Sequence, residues 1–404
     1  MLNRKTLAWS FYDVAASTYV VVPVILFPIY FRSVVAPGSD GDLYLGLTVA
    51  SALIVAAFSG PLLGILADRK GIRWRLLATV SIICCCAIAS LAFLSPASIF
   101  LIAVTFAVGH TCYLLAMSLY DSYLPSIAGP LESGRVSGFG WAFGYFGGIM
   151  AIIFVLPWTG DGTGAEYLRS YLLGFIIIAA MYSLLAVVAL VGLLQVIDTS
   201  LSDRQSPAGA GIWNALRIWH GHREIAKFLL ASFLINDGMV TVSVFAANYF
   251  RTQFGTSVRQ LLFLLLAYHL IAIPATLAFG YIFDRWDPRK AIGVSLSVWV
   301  GVLLLMSFGT GPWVPTASVL LLGCVYGSTL AMLRGMLSRM VPVDRAAEFF
   351  GFNMFAGRLS AALGPLLFGL ISAVTGSQRM SILSILAFII GGAAILTTVK
   401  LPRL

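Results

Sequence analysis

The stretch Gly64-Ile-Leu-Ala-Asp68-Arg69-Lys70-Gly71-Ile-Arg73 follows one long apolar run, and Gly280-Tyr-Ile-Phe-Asp284-Arg285-Trp-Asp287-Pro-Arg289-Lys290 follows another. The two aspartates are 284 − 68 = 216 residues apart, about half of the 404-residue chain. Recurrence at that distance is the mark of an internal repeat. In each copy a glycine stands four residues before an aspartate at the end of an apolar segment, and arginines follow. Glycine lets two helices approach closely. An aspartate at a helix end can accept hydrogen bonds from the N-terminus of a second helix. A basic loop with an incidental aspartate explains one such stretch; it does not explain two.

Outward from these stretches the chain is a series of apolar runs. Of all residues, 60% are hydrophobic and 10% charged, against roughly 25% charged in soluble domains. Twelve runs stand out, at about 6–32, 43–66, 75–94, 97–121, 134–157, 168–196, 226–250, 258–283, 290–308, 313–337, 347–373 and 380–400. A dozen spans of about 20 residues fill about 240 positions, in keeping with the composition. Soluble enzymes, secreted disulfide scaffolds and disordered tails are excluded. The expected fold is an all-α membrane protein of twelve transmembrane helices, in two pseudo-symmetric six-helix bundles over 1–197 and 226–404. Paired halves around a central cavity are a transporter design.

Between them, 198–225 reads as a cytoplasmic linker. Its Ile212, Leu216 and Trp219 recur at helical spacing, which suggests a short helix lying in the interface. His220 and His222 lack a third ligand, so no metal is expected there. With both termini cytoplasmic, eighteen of the 25 Lys and Arg residues fall inside, five outside and two within spans. That asymmetry fixes the orientation. It also accounts for the net charge of +9 without a nucleic-acid partner. The five cysteines all lie in apolar runs without metal spacing. The N-terminus has no cleavage site and reads as a retained first span.

The Gly-x-x-x-Asp-Arg-x-Gly-x-Arg pattern resembles the signature loop of the major facilitator superfamily. The resemblance implies the major facilitator fold. It also implies that Gly64, Asp68, Arg69, Gly71 and Arg73, with Asp284 and Arg285 in the second copy, help hold the cytoplasmic side shut in one state. Four longer blocks narrow the resemblance. They run from Trp9-Ser-Phe-Tyr12-Asp13 to Phe27-Pro28-Ile-Tyr30-Phe31, and from Tyr123-Leu-Pro125 to Gly134-Arg135-Val-Ser137-Gly138-Phe-Gly140-Trp141-Ala-Phe-Gly144-Tyr145. The others are Asn236-Asp237-Gly238 to Thr241, and Glu348-Phe-Phe-Gly351-Phe to Gly364-Pro365. These look like the vacuole-effluxer branch, whose best-known member exports amino acids from the fungal vacuole and which has many bacterial relatives. Compact tails and loops point to a bacterial relative, and so to the cytoplasmic membrane.

The chain departs from that branch in places. Ala16 stands where an asparagine is usual and Val240 where a glutamine is usual. Of a Gln-Ala-x-Ser-Arg-Ser run at Leu330 to Gly335, only Arg334 remains among the polar members. In span 5, Gly144-Tyr-Phe-Gly147-Gly148 lacks the proline of the drug–proton antiporter element Gly-Pro-x-x-Gly-Gly.

An ionisable residue at the centre of a span costs about 2.5–3.5 kcal/mol on insertion scales, so each needs a reason. The deepest are Asp237, His269, Arg358 and His110, with Asp13 nearer the cytoplasm and Arg334 near a cytoplasmic end. A carboxylic acid in a dry cavity can carry a proton in one state and release it in another. A guanidinium keeps its charge and suits a carboxylate or phosphate. Asp237, in proton coupling or cation binding, and Arg358, in anion binding, could together grip the two ends of a zwitterion; the alternative is that they pair with each other or with helix dipoles to register the second half. Histidines titrate in a useful range, though a neutral histidine bonded between helices is the common finding. Tyr12, Tyr19, Trp141, Tyr145 and Asn248 are candidates to line the cavity.

The expected function is secondary active transport of a small polar or zwitterionic solute, proton-coupled, by a monomer in the bilayer without a cofactor. The alternatives are an exporter of an amphipathic or lipid-like compound, and a membrane sensor that does not transport. No GxxxxGK[ST], HExxH or GxSxG stands in the sequence, which argues against ATP use and against an intramembrane enzyme.

Overall fold

The structure, a computed structural model, describes residues 4–37, 41–129, 131–155, 168–197, 222–256, 258–375 and 377–401. Twelve long helices lie among them. They are α1 Arg4–Tyr19, α2 Gly41–Lys70, α3 Arg73–Leu91, α4 Ile99–Asp121, α5 Ser133–Val155 and α6 Leu168–Ile197, then α7 Arg223–Phe254, α8 Val258–Arg285, α9 Pro288–Phe308, α10 Trp313–Met340, α11 Ala346–Thr375 and α12 Gln378–Thr397. Ten of them are long and apolar enough to cross a membrane. Helical structure in the first span continues beyond α1 through Val22–Leu26, Phe27–Tyr30 and Phe31–Val35, with wide π-type turns at either end of that stretch. Pro23 and Pro28 explain the irregularity, since a proline lacks an N–H and its ring crowds the preceding turn. Every end differs from the apolar run read in the sequence by four residues at most. The interfacial helix expected around Ile212 to Trp219 lies outside the described residues.

Two compact units emerge. The first comprises Met1–Tyr123, Phe143–Ser206 and Asp344–Gly351, the second Leu124–Ala142, Pro207–Val343 and Phe352–Leu404. Helices α5 and α11 are thus each divided between the units. Within the first unit α1 packs on α6, α3 on α4 and α6, and α2 on α4. Within the second, α8 packs on α10, α7 on α12, and α9 on both α10 and α12. Leu, Ile, Val and Phe side chains remain exposed all along the helices, among them Phe58, Phe100, Leu184 and Phe263. In water so much exposed apolar area signals aggregation; on helices of this length it is the face that meets lipid.

At the end of α2 the chain turns through Gly71 at φ +62°, and the Ile72 N–H bonds back to the Ala67 carbonyl at 3.1 Å. This is a Schellman cap, which needs a left-handed residue just past the helix. The position is open, with no atom near a would-be Cβ, so Gly71→Ala adds backbone strain and nothing else. We expect a loss of about 1–2 kcal/mol, read as a lower midpoint in thermal unfolding of the detergent-solubilised protein, and a smaller loss for Gly71→Asn.

Candidate functional site

In the first unit, the Asp68 carboxylate at the end of α2 is buried and holds two groups at once. Its Oδ1 accepts from Arg73 Nη2 at 2.6 Å, and its Oδ2 accepts the backbone N–H of Glu348 at 2.8 Å, in the first turn of α11. The first N–H groups of a helix lack internal partners and carry the positive end of its dipole, so an anion there is doubly favoured. Arg73, itself buried, also donates to the Ser122 carbonyl at 3.0 Å and lies over the Tyr123 ring. Glu348 accepts a bidentate pair from Arg345, both at 2.9 Å. Gly64 makes the approach possible, for a Cβ there would overlap the Ala347 carbonyl oxygen. One turn on, a Cβ at Gly351 would meet the Gly60 carbonyl oxygen at 2.7 Å. Arg69 is exposed.

The second unit repeats the arrangement with other arginines. Asp284, at the end of α8, accepts the N–H groups of Gly134 and Arg135 at the start of α5, both at 2.8 Å. Arg135 Nε adds a bond at 3.2 Å and buried Arg339 of α10 another at 2.6 Å. Arg339 also donates to Ser133 Oγ at 2.8 Å and lies over Phe283. A Cβ at Gly138 would meet the Thr276 carbonyl oxygen at 2.7 Å, and one at Gly280 the Gly134 carbonyl oxygen at 2.6 Å. Arg289, the counterpart of Arg73 in the repeat, turns instead to Asp287, at 2.7 Å and 3.1 Å. Its guanidinium holds the Asp287 carboxyl below the usual carboxylate range. Arg285 is exposed beside Tyr281.

Among the residues expected within the membrane, those of the first unit form an aromatic and polar network. The Tyr12 hydroxyl, wholly buried, bonds Ser81 Oγ at 2.6 Å and the Tyr182 hydroxyl at 3.2 Å. Tyr120 donates to Asp13 Oδ2 at 2.9 Å and stacks between Trp9 and Tyr12. The Tyr19 hydroxyl bonds His110 Nδ1 at 3.0 Å, and the two rings stack with Tyr113. Tyr145 is half-buried on α5.

In the second unit, Arg334 of α10 is buried and donates through Nε to Ser137 Oγ at 2.8 Å and through Nη2 to the Ser137 carbonyl at 2.9 Å. Its guanidinium lies 5.9 Å from the Trp141 ring centre, within cation–π range. His269 Nδ1 donates to the Leu265 carbonyl of its own helix at 2.8 Å. Arg358 is half-buried on α11, and the Asn248 side chain lies outside those described. Asp237 is wholly buried on α7. Its Oδ1 accepts the Gly364 N–H of α11 at 2.8 Å, while Oδ2 has no hydrogen-bond partner among the described residues. Arg358 is thus not the group that binds the Asp237 carboxylate.

Arg339 and Arg345 were not singled out by the sequence, and Ser137 and Gly364 stood only within the blocks of the resemblance, with no role of their own. Gly364-Pro365 carried a signal, a glycine and a proline side by side within an apolar span; Arg339 carried none beyond a cationic span end.

A two-unit bundle of twelve helices with paired carboxylate-capped crossings is the architecture of a major facilitator transporter. The human organic anion transporter MFSD10 shares the fold with a TM-score of 0.76 at 15% identity, over 97% of this chain and 98% of that one. The family "Vacuole effluxer Atg22 like" matches residues 44–403, and the chain belongs to it. An uncharacterised MFS-type transporter, YxiO of Bacillus subtilis, is 24% identical over 98% of this chain and 95% of its own length. Autophagy-related protein 22 of Kluyveromyces lactis is 21% identical over 70% of this chain and 64% of its own. The protein is a multi-pass membrane transporter.

Removing one partner of a buried ion pair leaves the other charge uncompensated, at about 3–5 kcal/mol. Asp284→Ala strands Arg339 and two helix N–H groups, so a loss in that range is expected in thermal unfolding. Asp287→Ala removes a half-exposed pair and the α9 N-cap bond to the Arg289 N–H, and costs about 1–2 kcal/mol. Equal effects of the two variants count against the capping role of Asp284.

Proposed function

We propose that this chain moves a small polar or zwitterionic solute, an amino acid or a relative of one, across the cytoplasmic membrane by alternating access driven by a proton gradient. The observation that carries the reading is Asp237, a carboxyl group wholly buried in a membrane helix with one oxygen unpartnered among the described residues. An acid in such a place is costly to keep charged. Cycling between a protonated and an ionised state as access changes gives it a purpose that packing does not. The halves 1–197 and 226–404 are the moving bodies, and both termini are cytoplasmic. The Asp68 and Asp284 caps, with the glycine contacts beside them, are the two locks of the cytoplasmic side. Each is made of a few hydrogen bonds to charge, worth about 1.5–3 kcal/mol apiece, strong enough to favour a closed state and weak enough to reverse.

In this cycle Arg358 offers a fixed positive charge to the anionic end of the solute. Arg334 and Trp141 offer a cation and an aromatic face, and Tyr12, Asp13, Tyr145, His110, His269 and Asn248 complete the polar set. The apolar residues at Ala16, Val240 and Leu330 narrow the solute to one with fewer hydrogen-bonding groups than the family pattern suits.

The test is flux of labelled amino acids in proteoliposomes, with and without an imposed proton gradient, for the wild type and Asp237→Asn. Gradient-driven uptake should fall to background in the variant while exchange of solute for solute persists. Undiminished driven uptake rules Asp237 out as the coupling residue.

A further inference from the structure

We propose that the Asp237 carboxylate and the Gly364 amide form a proton-operated latch between α7 and α11, and that protonation of Asp237 releases α11 to bend at Gly364-Pro365. The inference rests on the reading of Asp237 as the proton-coupling residue and adds the means by which its charge is felt by a second helix.

Four observations converge on this pair. First, α11 runs unbroken from Ala346 to Thr375 through Pro365. Proline has no N–H to donate, so the helix lacks one of its own hydrogen bonds there and is weaker for it. Second, next to that weak point the Gly364 N–H donates to Asp237 Oδ1 at 2.8 Å. Third, only glycine lets the amide come so close. A Cβ at residue 364 would overlap Thr241 Oγ1 and fall 2.9 Å from Asp237 Oδ2. Fourth, Oδ2 is buried without a hydrogen-bond partner among the described residues, so it can take a proton without breaking another bond. The Thr241 hydroxyl is engaged elsewhere, donating to the Asp237 main-chain carbonyl at 2.7 Å.

The change at the latch is one proton added at Oδ2, which turns a carboxylate into a neutral acid while Oδ1 stays an acceptor. A hydrogen bond to an ionised acceptor is roughly twice as strong as one to a neutral acceptor, so protonation loosens the hold on Gly364 without abolishing it. The surrounding helices leave Asp237 in control of its own charge state. Against the neighbouring Gly238, α12 presents Ile385 and Ile389. On α10, Arg334 is bonded to Ser137. On α7, Lys227 is paired with Glu224 at 2.8 Å. On α11, Arg358 is 364 − 358 = 6 residues from Gly364, more than one and a half turns.

Hydrogen exchange read by mass spectrometry on the full chain in lipid nanodiscs tests the latch. Exchange is followed in peptides spanning Gly364 and normalised to the intrinsic rate at each pH. In the wild type we expect protection at Gly364 to fall about tenfold as the pH is lowered through the titration of the Asp237 carboxyl. In Asp237→Asn protection should be low and independent of pH. Gly364→Ala, which keeps the acid and adds the colliding Cβ, should show the same low, flat protection. Protection in the wild type that does not change with pH overturns the latch, and it does so whether or not either variant folds. Driven transport lost in Asp237→Asn, with exchange at Gly364 like that of the wild type, overturns the latch and leaves the coupling role standing. Driven transport retained, with exchange turned low and flat, supports the latch and overturns the coupling role.

Discussion

A carboxylate set over the first turn of a helix, at a crossing where only glycine fits, recurs at Asp68 and at Asp284, and the structure of each unit is arranged around it. The interaction needs three things together. The acid must end one helix, the partner helix must begin at the same level, and the backbones must come within contact distance. Gly64 and Gly351 meet the last condition in the first unit, and Gly134, Gly138 and Gly280 in the second. Because the partners on one side are main-chain N–H groups, the bond depends on where the second helix starts rather than on which side chains it carries. That explains how the arginines around the two acids can differ. Arg73 comes from five residues on and serves Asp68, while Asp284 is served by Arg339 from another helix and Arg289 turns to Asp287.

The membrane fold was legible because its signals are local and redundant. Each span is about twenty residues of sequence, and an apolar run of that length has few alternatives. The repeat was legible because Gly64 and Asp68 recur at Gly280 and Asp284 with the same spacing. Partners brought together by packing were not. Arg339 lies 339 − 284 = 55 residues from Asp284, and no spacing rule joins them. The same holds for Ser137 and Arg334. The linker's apolar spacing at Ile212, Leu216 and Trp219 lies outside the described residues.

The aromatic network around Tyr12 and the Asp237 site treat their buried polar groups differently. In the first, Tyr12, Tyr19, Asp13 and His110 each have a partner across the bundle: Ser81 and Tyr182 for Tyr12, Tyr120 for Asp13, and Tyr19 with His110 for each other. These are hydroxyl, imidazole and carboxylate groups tied into a stack of rings, and such a network fixes helix register as well as serving any ligand. In the second unit Asp237 has one donor for two oxygens.

That difference separates a packing role from a chemical one. A buried polar network with every group paired stabilises a unique packing, so its presence says little about chemistry. A half-satisfied buried acid is worse for stability than an apolar side chain of the same size. Leucine in place of Asp237 would remove the acceptor of the Gly364 N–H, whereas asparagine would keep an acceptor oxygen there. The bond to Gly364 needs an acceptor oxygen at this position but not an ionisable one, so packing alone does not call for an acid. The acid is best understood through what it alone can do among these helices, which is to change its charge while buried and so alter the strength of its bond to α11.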